Sequence, residues 1–313
     1  MSEAVEKVFD LSVVVTLVSD TTNHILDLSL LRDCLDSLQK QDEPPSMEVI
    51  VPYMEGSADF SPLAAEFPET DFLCVHGTHL YSRTEKGREH HHELRAQGIL
   101  AAKGRIVALV EDCARVDEKW SKNIILAHRQ DFAGIGGAIE NQVDRALNWA
   151  VYFCDFGKYQ NPIPAGKTSF ASDANISYKH ASLLEIDSVW RDAYHEGRVN
   201  WYLLTKGYNL GISPDIMVFQ NRKNLRLPVA LQERSIWGRS YATIRLAEMN
   251  FSARLFHILI SPVIPIAMYV RITLTASKRR GNFKRIIQCT PALVLLTVSW
   301  SIGELIGYVT KKT

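Results

Sequence analysis

Two adjacent acids, Glu111 and Asp112, directly follow an apolar run at residues 105–110. A short predicted helix and Gly104 precede the run, which is the order expected for a buried strand of a parallel sheet. Open α/β sheets bind their ligands at the carboxyl ends of such strands. Carboxylate oxygens at that edge suit a divalent cation, and the cation can in turn hold a diphosphate. A solvated acidic turn is the alternative that this segment alone leaves open.

The elements that must position these acids alternate between strand and helix over the first two thirds of the chain. Leucines at helical spacing between Leu28 and Leu38 predict an amphipathic helix. Pro52 is expected to end the strand at residues 48–51. Strands separated by helices imply right-handed crossovers and a mostly parallel sheet, so the predicted fold class is α/β. The predicted strands are residues 11–18, 48–51, 71–75 and 105–110.

Composition narrows the class of protein. A chain of 313 residues with 46% hydrophobic content can bury one large α/β domain, with or without an accessory piece. Its formal net charge is zero, which gives no electrostatic case for nucleic acid as a partner. The five cysteines are widely spaced and form no CxxC pair, which indicates reduced thiols. No signal peptide is predicted at the N-terminus.

Short motifs follow one another in a fixed order between residues 10 and 245. An apolar strand at 12–15 leads into a helix with Leu, Ser-Leu and Gln at 31–41, and Glu55-Gly-Ser ends the second strand. The segments 95–99 and 102–106 are similar to Arg-Asn-x-Gly-Ile and Ala-x-Gly-x-Ile, and they run into the acidic pair. Together these motifs resemble the bacterial-type family 2 glycosyltransferases of GT-A fold.

The resemblance implies a UDP- or GDP-sugar donor along the strand ends and Mg²⁺ or Mn²⁺ on Asp112. Cys113 stands where the family often has a second Asp, and a thiol is a poor ligand for a hard cation. Residues 232–241 resemble the family's Arg/Trp helix. The planar guanidinium groups of its arginines would hold the diphosphate leaving group. The donor-binding residues implied are Thr16, Ser19, Asp20, Glu55, Arg95, Glu111, Arg234 and Arg239.

Residues 194–207 resemble the stretch of the family that carries the catalytic base, which makes Glu196 the predicted base. In an inverting transfer, a carboxylate takes the proton of the acceptor hydroxyl as that hydroxyl attacks the anomeric carbon. His195 is the alternative base. The interpretation without a catalytic role is that Glu196 only interacts with a helix dipole. The segment 171–179 resembles the acceptor side of the family, with Asp173 and Asn175.

Two further patterns suggest ligand sites but have simpler explanations. Gly134, Gly136 and Gly137 lack the third glycine of a dinucleotide motif at its required spacing, so a tight strand end or turn beside the sugar is expected. His90, His91 and His92 are consecutive and cannot all point at one zinc ion from a helix. We expect them in a solvated loop over the donor site.

The C-terminal region changes character, so we predict a catalytic domain at 1–250 and a membrane-associated region at 251–313. Residues 286–309 carry a single charge, Glu304, and at ~1.5 Å per residue they can cross a hydrocarbon core of ~30 Å. Residues 255–274 contain two prolines and are predicted to be interfacial or re-entrant. A two-span hairpin and a buried soluble hairpin are the alternatives.

A basic cluster at 278–285 lies between the two apolar segments. Such clusters prefer the cytoplasmic side of a membrane, where anionic lipids attract them. The leading expectation is therefore a membrane-attached inverting glycosyltransferase on the cytoplasmic face of the inner membrane, with a lipid-linked or cell-envelope glycan acceptor. The alternative function is a non-catalytic relative that binds a sugar or nucleotide at the membrane.

Overall fold

The computed structural model describes residues 8–19, 26–77, 90–246, 249–279 and 281–310. The chain forms two compact units: Met1–Glu140 with Asn161–Asn221, and Asn141–Gln160 with Arg222–Thr313. The second unit includes residues 222–250, because helices in that range pack with the C-terminal helices. The predicted division into 1–250 and 251–313 stays a prediction.

One sheet organises the first unit, and in the described residues it contains nine strands. These are β1 (Phe9–Thr16), β2 (Met47–Met54), β3 (Thr70–Val75), β4 (Gly104–Glu111), β5 (Ala114–Val116), β6 (Gly134–Asn141), β7 (Gly166–Thr168), β8 (Asn175–Lys179) and β9 (Leu210–Gln220). Their order is β3-β2-β1-β4-β8-β6-β9-β5, and β7 pairs with β9. The predicted α/β fold class is confirmed.

Helices flank the sheet and form most of the second unit. They are α1 (Leu28–Gln39), α2 (Ser61–Glu66), α3 (His90–Ala101), α4 (Trp120–Ala127), α5 (Ala146–Asp155), α6 (His180–Leu184), α7 (Asp187–Trp190), α8 (Glu196–Thr205), α9 (Leu227–Leu246), α10 (Phe251–Ile260), α11 (Ile264–Ser277) and α12 (Asn282–Val309). Leu31, Leu35 and Leu38 of the α1 stripe are buried, as their spacing predicts, and Leu28 is half-buried.

The parallel half of the sheet consists of β3, β2, β1 and β4. Its central strands are buried on both faces, which explains their continuous apolar runs. Thr16 lies opposite Glu111 at the carboxyl ends of β1 and β4. The chain reverses its winding between these two strands, and ligands of open α/β sheets bind at such a switch point.

Pro52 does not end β2, contrary to expectation, since the strand continues to Met54. The pairing of β2 with β1 stops at Ile50, whereas its pairing with β3 continues. One side of β2 therefore has no ladder at Pro52, and a residue without an N–H is tolerated there.

The antiparallel half of the sheet starts with β8, which pairs with β4 and places Asn175 beside Val110. Because β8 runs in the opposite direction, the loop before it lies at the carboxyl end of β4. Gly136 and Gly137 belong to the interior of β6, so the expected tight turn is wrong. A β-carbon on Gly137 would overlap the carbonyl oxygen of Ile216, and the glycine is there for close strand packing.

The expected solvated histidine loop is also wrong for the residues that the structure describes. His90 and His91 form the first turn of α3 and are almost fully buried, with ring centroids 4.1 Å apart. Among the described residues, no group of three or more His, Cys, Asp or Glu side chains is arranged to hold a metal ion. Residues 83–89, which precede these histidines and belong to the expected loop, lie outside the described residues.

In the second unit, α12 packs along α9 through glycine contacts. A β-carbon on Gly238 would overlap the carbonyl oxygen of Trp300, and one on Gly303 would overlap that of Ser235. Glu304 is 3% exposed and accepts a hydrogen bond of 3.0 Å from the Tyr308 hydroxyl. The single charge of the apolar segment therefore faces the interior of the unit.

A wide apolar surface covers the outer side of α10, α11 and α12. The first two helices meet at a bend of 72°, close to the two prolines. Of the described helices, α12 alone has the length and apolar character to cross a membrane, and the bent pair passes the same test if taken as one span. Side chains that are at least half exposed include Phe251, Phe256, Leu259, Val263, Ile266, Leu274, Phe283, Ile287 and Ile302.

Candidate active site

The carboxyl ends of β1 and β4 form the floor of the candidate site. The backbone N–H of Asp112 donates to the carbonyl of Thr16 at 2.9 Å, which continues the ladder one step past the strands. The Thr16 hydroxyl is fully buried and has no hydrogen-bond partner among the described residues. Buried hydroxyls normally have a partner, so Thr16 is an exception at the end of β1.

Asp112 holds the segment that leaves β1. Its Oδ1 accepts a hydrogen bond of 3.1 Å from the backbone of Val18, and its Oδ2 accepts bonds from Ser19, 3.4 Å from the backbone and 2.6 Å from the hydroxyl. The carboxylate is 1% exposed. These contacts fix the first residues after β1 next to the end of β4. Asp20, predicted to bind the donor, lies outside the described residues.

A divalent cation at this strand end needs several oxygen ligands with unoccupied lone pairs. Both oxygens of Asp112 already accept hydrogen bonds, and Glu111 faces other side chains. A carboxylate has a further lone pair, so Asp112 can still coordinate a cation, but the described residues do not place two more His, Cys, Asp or Glu ligands around one. The predicted Mg²⁺ or Mn²⁺ on Asp112 stays a prediction.

Arg95 lies on α3 beneath the acids, and its side chain has no exposed surface. Its guanidinium is 2.6 Å from Asp173 and 3.7 Å from Glu111. Burial of the guanidinium opposes its charge, but the two carboxylates raise the pKa of Arg95 above its usual value. The structure thus joins three of the predicted residues in one buried ion cluster.

Glu196 begins α8 and joins the same cluster through Asp173. The backbone N–H of Asp173 donates to Glu196 Oε2 at 2.6 Å. Burial raises the pKa of Glu196 well above its usual range, and the neighbouring carboxylate of Asp173 adds to the effect, while Arg95 opposes it. A carboxyl group that binds its proton this tightly is a strong base once it is ionised, which suits proton abstraction.

A buried hydroxyl network supports the start of α8 from below. The Tyr178 hydroxyl lies 2.7 Å from that of Tyr194 and donates to Asn200 at 2.9 Å. Next to Glu196, the ring of His195 packs on that of His92, with centroids 4.1 Å apart. These contacts fix both ends of the segment that carries Glu196, so the carboxyl group has a defined position.

Gln220 is a member of the site that the sequence did not single out. It ends β9, is 5% exposed and donates to Glu111 at 3.3 Å, while the Cys113 thiol lies 3.4 Å from its side-chain oxygen. The available signal was a polar residue directly after the apolar run Ile-Met-Val-Phe, the same pattern that drew attention to the acidic pair.

The side chain of Asn175 forms hydrogen bonds that hold the sheet and the helix next to it together. Its side-chain oxygen accepts from the Trp120 indole at 3.0 Å, and its nitrogen donates to the carbonyls of Ala138 and Ile216, both at 2.9 Å. All three contacts are buried, so they use the hydrogen-bonding capacity of the amide almost fully. Asn175 therefore holds the loop of Asp173 in place, and its predicted role on the acceptor side stays untested.

Three predicted donor-binding residues remain. Glu55 follows β2 at the surface, where its carboxylate lies 3.0 Å from His76. In the second unit, Arg234 is buried and forms a bidentate pair with Asp155, one contact of which is 2.6 Å. Arg239 is exposed on α9. Donor binding by these three residues stays a prediction.

Comparison with known proteins places the fold. The sequence matches no protein-family model and no curated protein. Among solved structures, the chain is similar to a mannosyltransferase from Pyrobaculum calidifontis in complex with GDP-mannose and Mn²⁺, with a TM-score of 0.52 and 14% identity over 95% of this chain and 88% of that one. Staphylococcus aureus TarS, residues 1–349, is also matched, with a TM-score of 0.44, 14% identity, and 95% and 90% coverage. At this identity, the first match shows the fold alone.

Proposed function

We propose that this protein is a membrane-attached inverting glycosyltransferase that uses a nucleotide-diphosphate sugar as donor. The observation that carries the proposal is the cluster of the buried Arg95 and Asp173 with the partly buried Glu196, beside the carboxyl ends of β1 and β4. That edge is where this class of sheet binds ligands, and Glu196, a carboxyl group of raised pKa, lies in the cluster next to it, which supports a role as the base. The fold match to a mannosyltransferase supports the proposal.

In the proposed reaction, the donor lies across the ends of β1, β2 and β4, near Thr16, Ser19, Glu55 and Glu111. Glu196 takes the proton from the acceptor hydroxyl as its oxygen attacks the anomeric carbon. The bond from that carbon to the diphosphate breaks on the opposite face, and the nucleoside diphosphate leaves with the bonding electrons. This in-line displacement inverts the anomeric centre.

The donor is proposed to be a UDP- or GDP-sugar, because the structural neighbour was solved with GDP-mannose. The acceptor is proposed to be a lipid-linked or cell-envelope glycan at the cytoplasmic face of the inner membrane. The exposed apolar surface of α10–α12 and the exposed cations Lys278 and Lys284 support membrane attachment, since apolar side chains enter the interface and cations meet anionic headgroups.

Donor hydrolysis and transfer assays test this function. The full chain in lipid vesicles is incubated with UDP- and GDP-sugars, with and without Mg²⁺ or Mn²⁺, and released nucleoside diphosphate is measured. Thermal shift with the same donors measures binding separately, because a ligand at 100 times its dissociation constant stabilises by ~2.7 kcal/mol. Release of nucleoside diphosphate supports the enzyme. Binding with no release under any condition supports the non-catalytic alternative.

A further inference from the structure

Arg95 has its charge engaged inside the protein. The sequence predicted that Arg95 faces a diphosphate, yet its side chain has no exposed surface. Its guanidinium lies against Asp173 and Glu111, at 2.6 and 3.7 Å. A cation that is buried between two carboxylates acts on those carboxylates first, because charges interact most strongly at short range and low dielectric.

Asp173 connects Arg95 to Glu196 with two different groups. Its Oδ2 lies 2.6 Å from Nη1 of the guanidinium as an ion pair, and its backbone N–H donates to Glu196 Oε2 at 2.6 Å. The loop that carries Asp173 is held independently, since Asn175 is fixed by Trp120, Ala138 and Ile216. The position of Arg95 is therefore transmitted to Glu196 through one residue on a rigid loop.

We propose that Arg95 is a positioning residue that acts through Asp173 to orient Glu196 and to let it release its proton. This inference rests on the proposed function, in which Glu196 is the base. It assigns Arg95 to the proton-transfer side of the site, and it removes Arg95 from the donor-binding set.

The charges around Glu196 fix the direction of the effect. The groups that face it are Asp173 from the loop before β8, Arg95 from α3, and the hydroxyls of Tyr178 and Tyr194; His195 precedes it on the chain. Asp173 raises the pKa of Glu196 and Arg95 lowers it. Two adjacent carboxyl groups without a nearby cation tend to share one proton. Loss of Arg95 is thus expected to raise the pKa of Glu196 further and keep it protonated. Loss of the Asp173 charge is expected to lower that pKa.

The test is the pH dependence of sugar transfer by the full-length protein. Arg95→Gln is expected to move the acidic limb of kcat by ~1 pH unit or more towards alkaline pH, with donor KM within ~3-fold of wild type. Arg95→Lys, which keeps the charge, restores part of the shift. Asp173→Asn keeps the backbone donor and is expected to move the limb the other way. Arg198→Gln, an exposed arginine on α8, serves as the matched control and leaves the profile unchanged.

A contrary result is equally specific. If Arg95→Gln raises the donor KM by ~10-fold or more and leaves the pH limb in place, Arg95 binds the diphosphate and the inference is overturned, while the proposed function stands. If Arg95→Gln does not fold, Asp173→Asn decides, since an unshifted limb in that variant overturns the inference. A wild-type protein that transfers no sugar contradicts the proposed function itself.

Discussion

The hydroxyl of Ser19 lies 2.6 Å from the carboxylate of Asp112, so the residue that follows β4 holds the segment that leaves β1. The same carboxylate also accepts the backbone N–H of Val18. An acidic residue at a strand end can thus shape a ligand site by holding a neighbouring segment of the same chain with hydrogen bonds. This arrangement gives Asp112 a role that is distinguishable from metal binding by experiment.

Asp112→Asn tests the two roles. The amide can accept at one oxygen only, so the segment after β1 loses part of its anchor, and a lost hydrogen bond to a charged group costs ~1.5–3 kcal/mol. If Asp112 anchors the segment, nucleotide affinity and the thermal unfolding midpoint both fall, with and without Mn²⁺. If Asp112 is the metal ligand, the mutant loses only the part of the affinity that added Mn²⁺ supplies. Calorimetric titration with nucleoside diphosphate, in EDTA and in Mn²⁺, separates these outcomes.

Glu196→Gln tests the base. The amide keeps the shape and still accepts the hydrogen bond from Asp173, but it cannot take a proton, so transfer is expected to fall by ~10²–10⁴ with donor affinity retained. In the wild type, kcat is expected to rise with pH through the raised pKa of Glu196, because only the ionised carboxylate acts as a base. His195→Gln is the matched control. Near-normal transfer by the Glu196 variant would move the base elsewhere, with Asp173 the next candidate.

Gly303→Ala tests the packing of α12 on α9. The added methyl group meets the carbonyl oxygen of Ser235, which belongs to a helix backbone and cannot move aside easily. Overpacking of this kind typically costs ~1–3 kcal/mol, so the unfolding midpoint of the full chain in detergent is expected to fall. Ile302→Ala on the same helix is the control, because that side chain is 51% exposed. Equal midpoints for the two variants would contradict the close helix contact.

Lys278 and Lys284 test membrane attachment. Both are exposed next to the apolar surface of α10–α12, and each cation near an anionic bilayer contributes ~1 kcal/mol. Replacement of both by Gln is expected to weaken binding to phosphatidylserine vesicles by ~10-fold or more, and salt should weaken wild-type binding in the same way. Lys167→Gln with Lys206→Gln removes equal charge from exposed positions of the other unit. If both pairs of variants bind equally well, the basic cluster does not face the lipid.

The sequence determined the alternation of strands and helices, because apolar periodicity reports local structure and burial together. It also placed Glu111 and Asp112 at a strand end, since a buried run must stop where charge begins. Their neighbours in sequence were enough for that prediction. The prediction that Pro52 ends the strand was wrong, because a strand tolerates proline on an edge that has no partner strand, and the sequence does not show which edge of β2 is paired.

Only the tertiary structure determined which charged side chains of the candidate site contact one another. Arg95, Asp173 and Glu196 lie on three separate elements, and their contacts depend on β8 running antiparallel to β4. Charges far apart in sequence leave no periodic pattern, so their pairing could not be read from the chain. The inward orientation of Glu304 has the same cause, because it depends on which face of α12 the glycines bring against α9. Local pattern fixes elements, whereas long-range packing selects the partners of each charged side chain.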